Sequence, residues 1–348
     1  MGAKRFSRSL VRLGLQGILF AGVLSLTLWP VRASGQGQNL LEQAKKEGEV
    51  VLYSTMPVSD FQFFEKAAKA KYPFLNIHHV RLSSASQVSR VMLEHKSGKV
   101  QADVIGNSLP PIHYYKEQGV LGRHESLGAS QLIKGSTDPD GYWMGITTDL
   151  LITAFNAKYL SKKDAPKGFD DYLNPRFKGQ MAINRGVADG LIGMMALRGE
   201  EPGISYMRKL SQQELRSVAS FTHMTNLLAA GEYPVAIFMQ VSKIEAMQRK
   251  GGPVDWLPTL PTFAAISAVG VTRNAPHPAA ARLLVDFYLS QEGQQALVRA
   301  GKIPLRKGVK SPSKEIDELL DSGNLFVLRM GGEYSRYMKL YSEILEIR

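Results

Sequence analysis

The sequence predicts an α/β fold in two lobes, each a mixed, mainly parallel sheet flanked by helices. Three observations predict it. From Leu40 onward β-branched runs alternate with helix-period runs, and successive strand–helix units of that length give parallel strands wrapped by helices. Two longer extended stretches, 142–155 (YWMGITTDLLITAF) and 263–272 (FAAISAVGVT), are suited to crossing between lobes. The roughly 315 residues beyond an N-terminal leader suit two lobes better than one.

That leader comes first. Lys4, Arg5, Arg8 and Arg12 form a positive start, residues 13–28 carry no charge, and Val31-Arg32-Ala33 puts small residues at the two positions a signal peptidase reads. A signal peptide over 1–33, cleaved near Ala33–Ser34, is expected. Its uncharged run falls short of the roughly 20 residues that cross a bilayer. No later run is apolar enough to do so, which places the mature chain outside the cytoplasm as a soluble protein. The absence of Cys excludes a disulfide scaffold, a thiolate zinc site, a cysteine nucleophile and a lipid-bearing N-terminal Cys. An untethered chain favours an envelope with an outer barrier, hence a periplasm.

The elements come in chain order. Residues 40–47 (LLEQAKKE) are helix formers stopped by Gly48, and 49–53 (EVVLY) reads as a buried strand. Ser59 or Asp60 can cap a helix over 61–71, where Phe61, Phe64, Ala68 and Tyr72 recur at helical spacing. A second strand spans 76–82, a helix runs from the serines at 83–86 to His95, a third strand covers 102–105, and a helix carries Tyr114, Tyr115 and Glu117. The second lobe offers a turn at Asn174-Pro175, strands at 180–184 and 234–238, and helices at 189–198 and 222–230. Beyond Pro276 come helices at 278–289, 292–300, 314–320 and 333–347. The expected division is 34–144 with 265–348 as the first lobe and 145–264 as the second.

Composition narrows the function. The chain carries 43 Lys+Arg against 31 Asp+Glu, net +12, but several of these cations sit in the leader and the rest are scattered, so nucleic acid is not an expected partner. There is no GxSxG, HExxH, GxxxxGK[ST] or strand-borne GxGxxG, which removes the support for the common hydrolase, metalloprotease and nucleotide readings. No enzyme activity, cofactor or metal is expected. His78 and His79 are adjacent on a strand and point to opposite faces, a poor arrangement for sharing a metal.

What the sequence supplies is small polar residues where strands end: Ser54-Thr55, Ser84 and Ser86, Asn107-Ser108, and Asn184 to Asp189. In open parallel sheets such loops face a common crevice, and each following helix begins with unpaired N–H groups. The competing explanation is that each is a helix cap or turn former.

The segments EGEVVLYST (47–55), QADVIGNS (101–108), NPRFKGQMAI (174–183), LLAAGEYPVAI (227–237), AARLLVDFYLSQEGQQAL (280–297) and KIPLRKGV (302–309) resemble extracellular solute-binding proteins of ABC importers. The resemblance is to the branch that includes ferric-ion binders and thiamine- or polyamine-type binders. It implies a type II periplasmic-binding-protein fold, two lobes joined by hinge strands that close over one small polar solute. Delivery to an inner-membrane permease by a monomer is implied as well. In ferric binders an adjacent tyrosine pair would fall at Val241-Ser242, so the reading as a ferric-ion-binding protein loses its phenolate donors. The same fold would also serve a periplasmic ligand sensor or an enzyme. The expected ligand contacts are Tyr53, Ser54, Thr55, Ser84, Ser86, Asn107 and Ser108 from one lobe and Asn184, Arg185, Asp189, Met239 and Gln240 from the other. Asp189 suits an amine and Arg185 an anion, unless the two pair with each other.

Overall fold

A computed structural model describes residues 33–329 and 333–346. The leader, apart from Ala33, lies outside the described residues.

The first part of the chain alternates as the sequence predicts: α1 (Ala33–Glu47), β1 (Glu49–Ser54), α2 (Val58–Lys71), β2 (Asn76–Arg81), α3 (Ser84–Lys96), β3 (Val104–Ser108) and α4 (Leu109–Glu117). Gly48 turns the chain from α1 into β1 at φ 71, a conformation that costs a residue without Cβ little. α2 starts after Pro57 with no side-chain cap. Ser59 and Asp60, the expected caps, lie inside its first turn, and Asp60 instead meets Lys302 at 2.7 Å. Phe61, Phe64 and Ala68 are buried. β3 starts later than expected, at Val104; just before it the Asp103 carboxylate accepts the Val51 N–H (2.7 Å) and meets His277 Nδ1 at 2.9 Å.

β4 (Met144–Asn156) then crosses the molecule and is followed by β5 (Met181–Asn184), α5 (Asp189–Arg198), α6 (Glu200–Ser211), β6 (Arg216–Val218), α7 (Phe221–Ala230), β7 (Val235–Gln240), α8 (Val241–Gln248) and β8 (Val254–Leu257). β9 (Thr262–Val271) crosses back, and α9 (Pro278–Leu289), α10 (Gln291–Arg299), β10 (Ile303–Pro304), α11 (Lys314–Asp321), β11 (Leu325–Val327) and α12 (Tyr334–Ile344) complete the chain.

The strands form one hydrogen-bonded path, β2-β1-β3-β9-β4-β7-β5-β6, with β10 and β8 on β4 and β11 on β9. Pairing is parallel at both ends (β1 with β2 and β3, β5 with β6 and β7) and antiparallel where β9 and β4 meet each other and their neighbours β3 and β7. The crossing strands change cores midway. Met144 and Ile146 belong to a first core built on β1–β3, whereas Leu151 and Leu150 enter two cores on opposite faces of the second half of the sheet. β9 does the reverse, with Phe263 and Ala264 in those cores and Ile266 and Ala268 in the first. Sequence grouping put 265–348 entirely with the first lobe. α9 and α10 pack there, but Ile316 and Leu319 of α11, and Tyr341 and Ile344 of α12, join the other two cores. Helical periodicity shows that a face is buried, not against which core.

Two local devices fix the crossing strands against their surroundings. Gln294 is fully buried and uses its whole amide: it donates to the Ile146 and Tyr288 carbonyls (2.7 and 2.9 Å) and accepts from the Leu305 and Arg306 N–H groups (2.8 and 3.2 Å). It thus ties the start of β4 to the segment beyond Lys302. In β7 the register against β4 slips between Ile152↔Met239 and Ala154↔Ala236, and Phe238 takes φ 49. Ile237 and Phe238 therefore both face the second core, and Met239 turns into the third.

Candidate functional site

A cleft of about 290 Å³ opens where β4 and β9 change cores. Its floor is Thr147, Thr148 and Asp149 from β4 and Ala265, Ile266 and Ser267 from β9. Its walls come from the ends of β1, β3 and β7, as strand–helix topology dictates for carboxyl-end loops. Five helices begin on it: α2 behind Met56-Pro57, α4 behind Ser108, α5 at Asp189, α7 at Phe221 and α8 at Ser242-Lys243. Each helix start presents N–H groups without intrahelical partners and a positive dipole end. α4 offers least, because Pro110 and Pro111 in its first turn have no N–H. Lys243 adds an ammonium group, and Lys302 a second that is already paired with Asp60 at 2.7 Å.

Half of the sequence-expected contacts line this cleft: Ser54, Thr55, Asn107, Ser108, Asp189 and Gln240. Ser54 and Asn107 are mostly spent on the protein itself. Ser54 Oγ accepts from the Met56 N–H at 2.9 Å, and Asn107 accepts from the Ser84 hydroxyl and the Ser108 N–H while donating to Gln87. The other six do not line it. Tyr53 precedes Ser54 on a strand and so points to the opposite face, where it is 1% exposed and its hydroxyl bonds Glu94. Burial, with Glu94 adding to it, pushes that phenol up to about 12. Ser84 sits behind Asn107, and Ser86 bonds the cap residue Ser83. Asn184 accepts the Gly186 N–H at 2.7 Å and shapes its own loop. Arg185 is exposed off the cleft and makes no ion pair with Asp189. Met239 is fully buried in the third core because of the Phe238 bulge, which leaves Gln240 as the residue of that pair at the cleft.

Sequence reasoning missed the floor and the two lysines. Asp149 accepts the Ser242 hydroxyl, the Ser242 N–H (3.2 Å) and the Leu150 N–H (3.0 Å), so this carboxylate caps α8 from the neighbouring strand. Burial raises its pKa, against the pull of those hydrogen bonds and of Lys243. A lone charged residue in a long strand, after Thr147-Thr148 and before Leu150, was the available signal; that α8 would start opposite it was not readable.

Asp189 differs. It forms no hydrogen bond or ion pair with any described residue, and loss of hydration alone pushes its carboxyl up to about 6. Gly190 behind it lets the Phe238 ring approach, where a Cβ would stand 2.8 Å from it.

Metal chemistry finds few donors here. Among the described residues no group of three His, Cys, Asp or Glu side chains could hold a metal ion. His78 pairs with Glu49 at 3.0 Å and His79 with Ser54 at 3.2 Å. At the expected phenolate positions Val241 is fully buried and Ser242 holds Asp149; among the lining residues the one tyrosine is Tyr288, 1% exposed. Also among the described residues, no helix is long and apolar enough to cross a membrane.

Known proteins are similar to this chain at three levels. The family described as bacterial extracellular solute-binding protein matches residues 108–325. An uncharacterised protein of Haemophilus influenzae is 25% identical over 273 residues, covering 74% of this chain and 78% of that protein. A candidate 2-aminoethylphosphonate-binding periplasmic protein of Salmonella paratyphi A is 25% identical over 227 residues, 62% of this chain and 65% of that relative's length. Among solved structures, iron-bound HitA from Pseudomonas aeruginosa superposes with a TM-score of 0.73 at 20% identity, covering 85% of this chain and 99% of that one. AfuA from Actinobacillus pleuropneumoniae, with fructose-6-phosphate bound, gives 0.70 at 21%, covering 87% and 100%. At these identities the structures establish a shared fold, that of type II periplasmic binding proteins.

Proposed function

This chain belongs to the bacterial extracellular solute-binding proteins, and from that premise we propose that it captures a small oxyanion-bearing solute in the periplasm and hands it, chemically unchanged, to an ABC permease. One observation carries the choice of an anion: the starts of five helices and the side chain of Lys243 converge on a single cleft. Helix starts and ammonium groups together favour phosphate, phosphonate or carboxylate groups. Asp149 already illustrates the preference by seating its own carboxylate at the start of α8. The phosphonate for which the Salmonella relative is named points the same way.

Capture works by population shift. Thr55 and Ser108 stand on the first-lobe wall and Gln240 on the other, so a solute touching both walls favours the closed arrangement, and the permease reads that arrangement. The volume lies near the lower limit for small-molecule sites, about 300 Å³, and suits a compact solute.

A melting-temperature screen tests the reading. Oxyanion-bearing solutes at about 100 times their dissociation constant should add roughly 2.7 kcal/mol of stability. Neutral sugars and ferric ion should not, and Lys243→Ala should weaken any hit by about tenfold. Stabilisation by sugars or iron alone would remove the proposal.

A further inference from the structure

Asp189 is anomalous in a cleft built for anions. Asp149, the other carboxylate there, is spent on three hydrogen bonds and lies near Lys243. Asp189 lines the same cleft, sits among protein that strips its hydration, and has no partner among the described residues. The nearest cation in sequence, Arg185, points elsewhere and is exposed. A place in the first turn of α5 suits a carboxylate electrostatically, but a side chain serving only the helix would have its carboxyl held down, and Asp189 is displaced upward by burial. A desolvated carboxylate without a partner is costly, and the cost is removed when a cation arrives to share the space.

Anion-favouring groups stand on both walls of the cleft. α2, α4 and the Asp60-paired Lys302 stand on the wall belonging to the first core; the starts of α5, α7 and α8, with Lys243, stand on the other wall, and Asp189 is among them at the start of α5. We infer that the captured solute is a zwitterion whose ammonium group is received by Asp189 while its oxyanion faces the helix starts around it. This rests on the oxyanion reading and deepens it: the substrate class becomes small aminoalkyl phosphonates, phosphates or carboxylates.

Calorimetric titration of the mature protein with 2-aminoethylphosphonate and with 2-hydroxyethylphosphonate, near pH 7.5, isolates the ammonium, since the two probes share size and oxyanion. The amine should bind at least about tenfold more tightly, the scale of one charge-assisted contact. In Asp189→Asn, whose cooperative melt certifies folding, the ratio of the two affinities should fall to about two or less. In the unmodified protein the ratio should also shrink near pH 5, as Asp189 takes up its proton, which gives a readout without any substitution. Equal affinities in the unmodified protein, or an amine preference that survives Asp189→Asn, overturn the assignment and leave the oxyanion reading standing. Failure of both probes together with inorganic phosphate overturns that reading and the assignment with it.

Discussion

Asp189→Asn should stabilise the ligand-free protein at neutral pH. Burial moves this carboxyl from 3.8 to about 6, which corresponds to at most about 3 kcal/mol between its two protonation states. Because the side chain is partly open to the cleft, solvent screens it, and about 1–2 kcal/mol is the expected penalty. The sign follows from proton binding. Below the unfolded value both states hold the proton and there is no penalty. Between 3.8 and about 6 the unfolded chain releases its proton while the folded one keeps it, so stability falls as pH rises. Above that window the whole penalty is present. Urea unfolding of both proteins across about pH 4 to 7, without ligand, measures this directly. All other carboxylates are common to the pair, so the difference between the two curves reports Asp189 alone. Parallel curves would show that the side chain is not desolvated and would refute the reasoning.

Two further perturbations probe the scaffold. Gln294→Leu strands two carbonyls and two N–H groups in the interior and should cost about 2–4 kcal/mol by urea denaturation; a loss under about 0.5 kcal/mol would show those groups find new partners. For His277, burial opposes the charged ring, but the hydrogen bond to Asp103 and the nearby Glu49 and Glu47 outweigh it and raise its pKa. The stability it contributes is therefore present below the ordinary 6.5 and lost as pH rises through the raised value; an NMR titration midpoint at or below 6.5 would contradict this.

Much of the scaffold was legible because its signals are local. Gly48, Pro73 and Gly98 punctuate the first strand–helix units, and Phe61, Phe64 and Ala68 mark the buried face of α2. The site was legible only in part. Strand-end polar residues located the crevice, yet alternation put Tyr53 on the far side of β1, and turn chemistry absorbed Ser86 and Asn184. Met239 was misplaced because a bulge shifts parity by one residue, and nothing in VAIFMQ announces that Phe238 will adopt a left-handed backbone. Asp149, Lys243 and Lys302 reach the cleft from elements far apart in sequence, β4, α8 and the segment before β10. Their meeting is a property of the crossing strands, which no window of sequence contains.

Those crossing strands also set a lever. The solute would rest against Thr147 to Asp149 and Ala265 to Ser267, beside the fulcrum about which the two halves would rotate, while the outer rims lie far from it. Under the proposed closure, displacement would grow in proportion to radius, so a modest tightening around a compact cargo would become a larger movement at the perimeter, which a membrane partner would sense without touching the cargo.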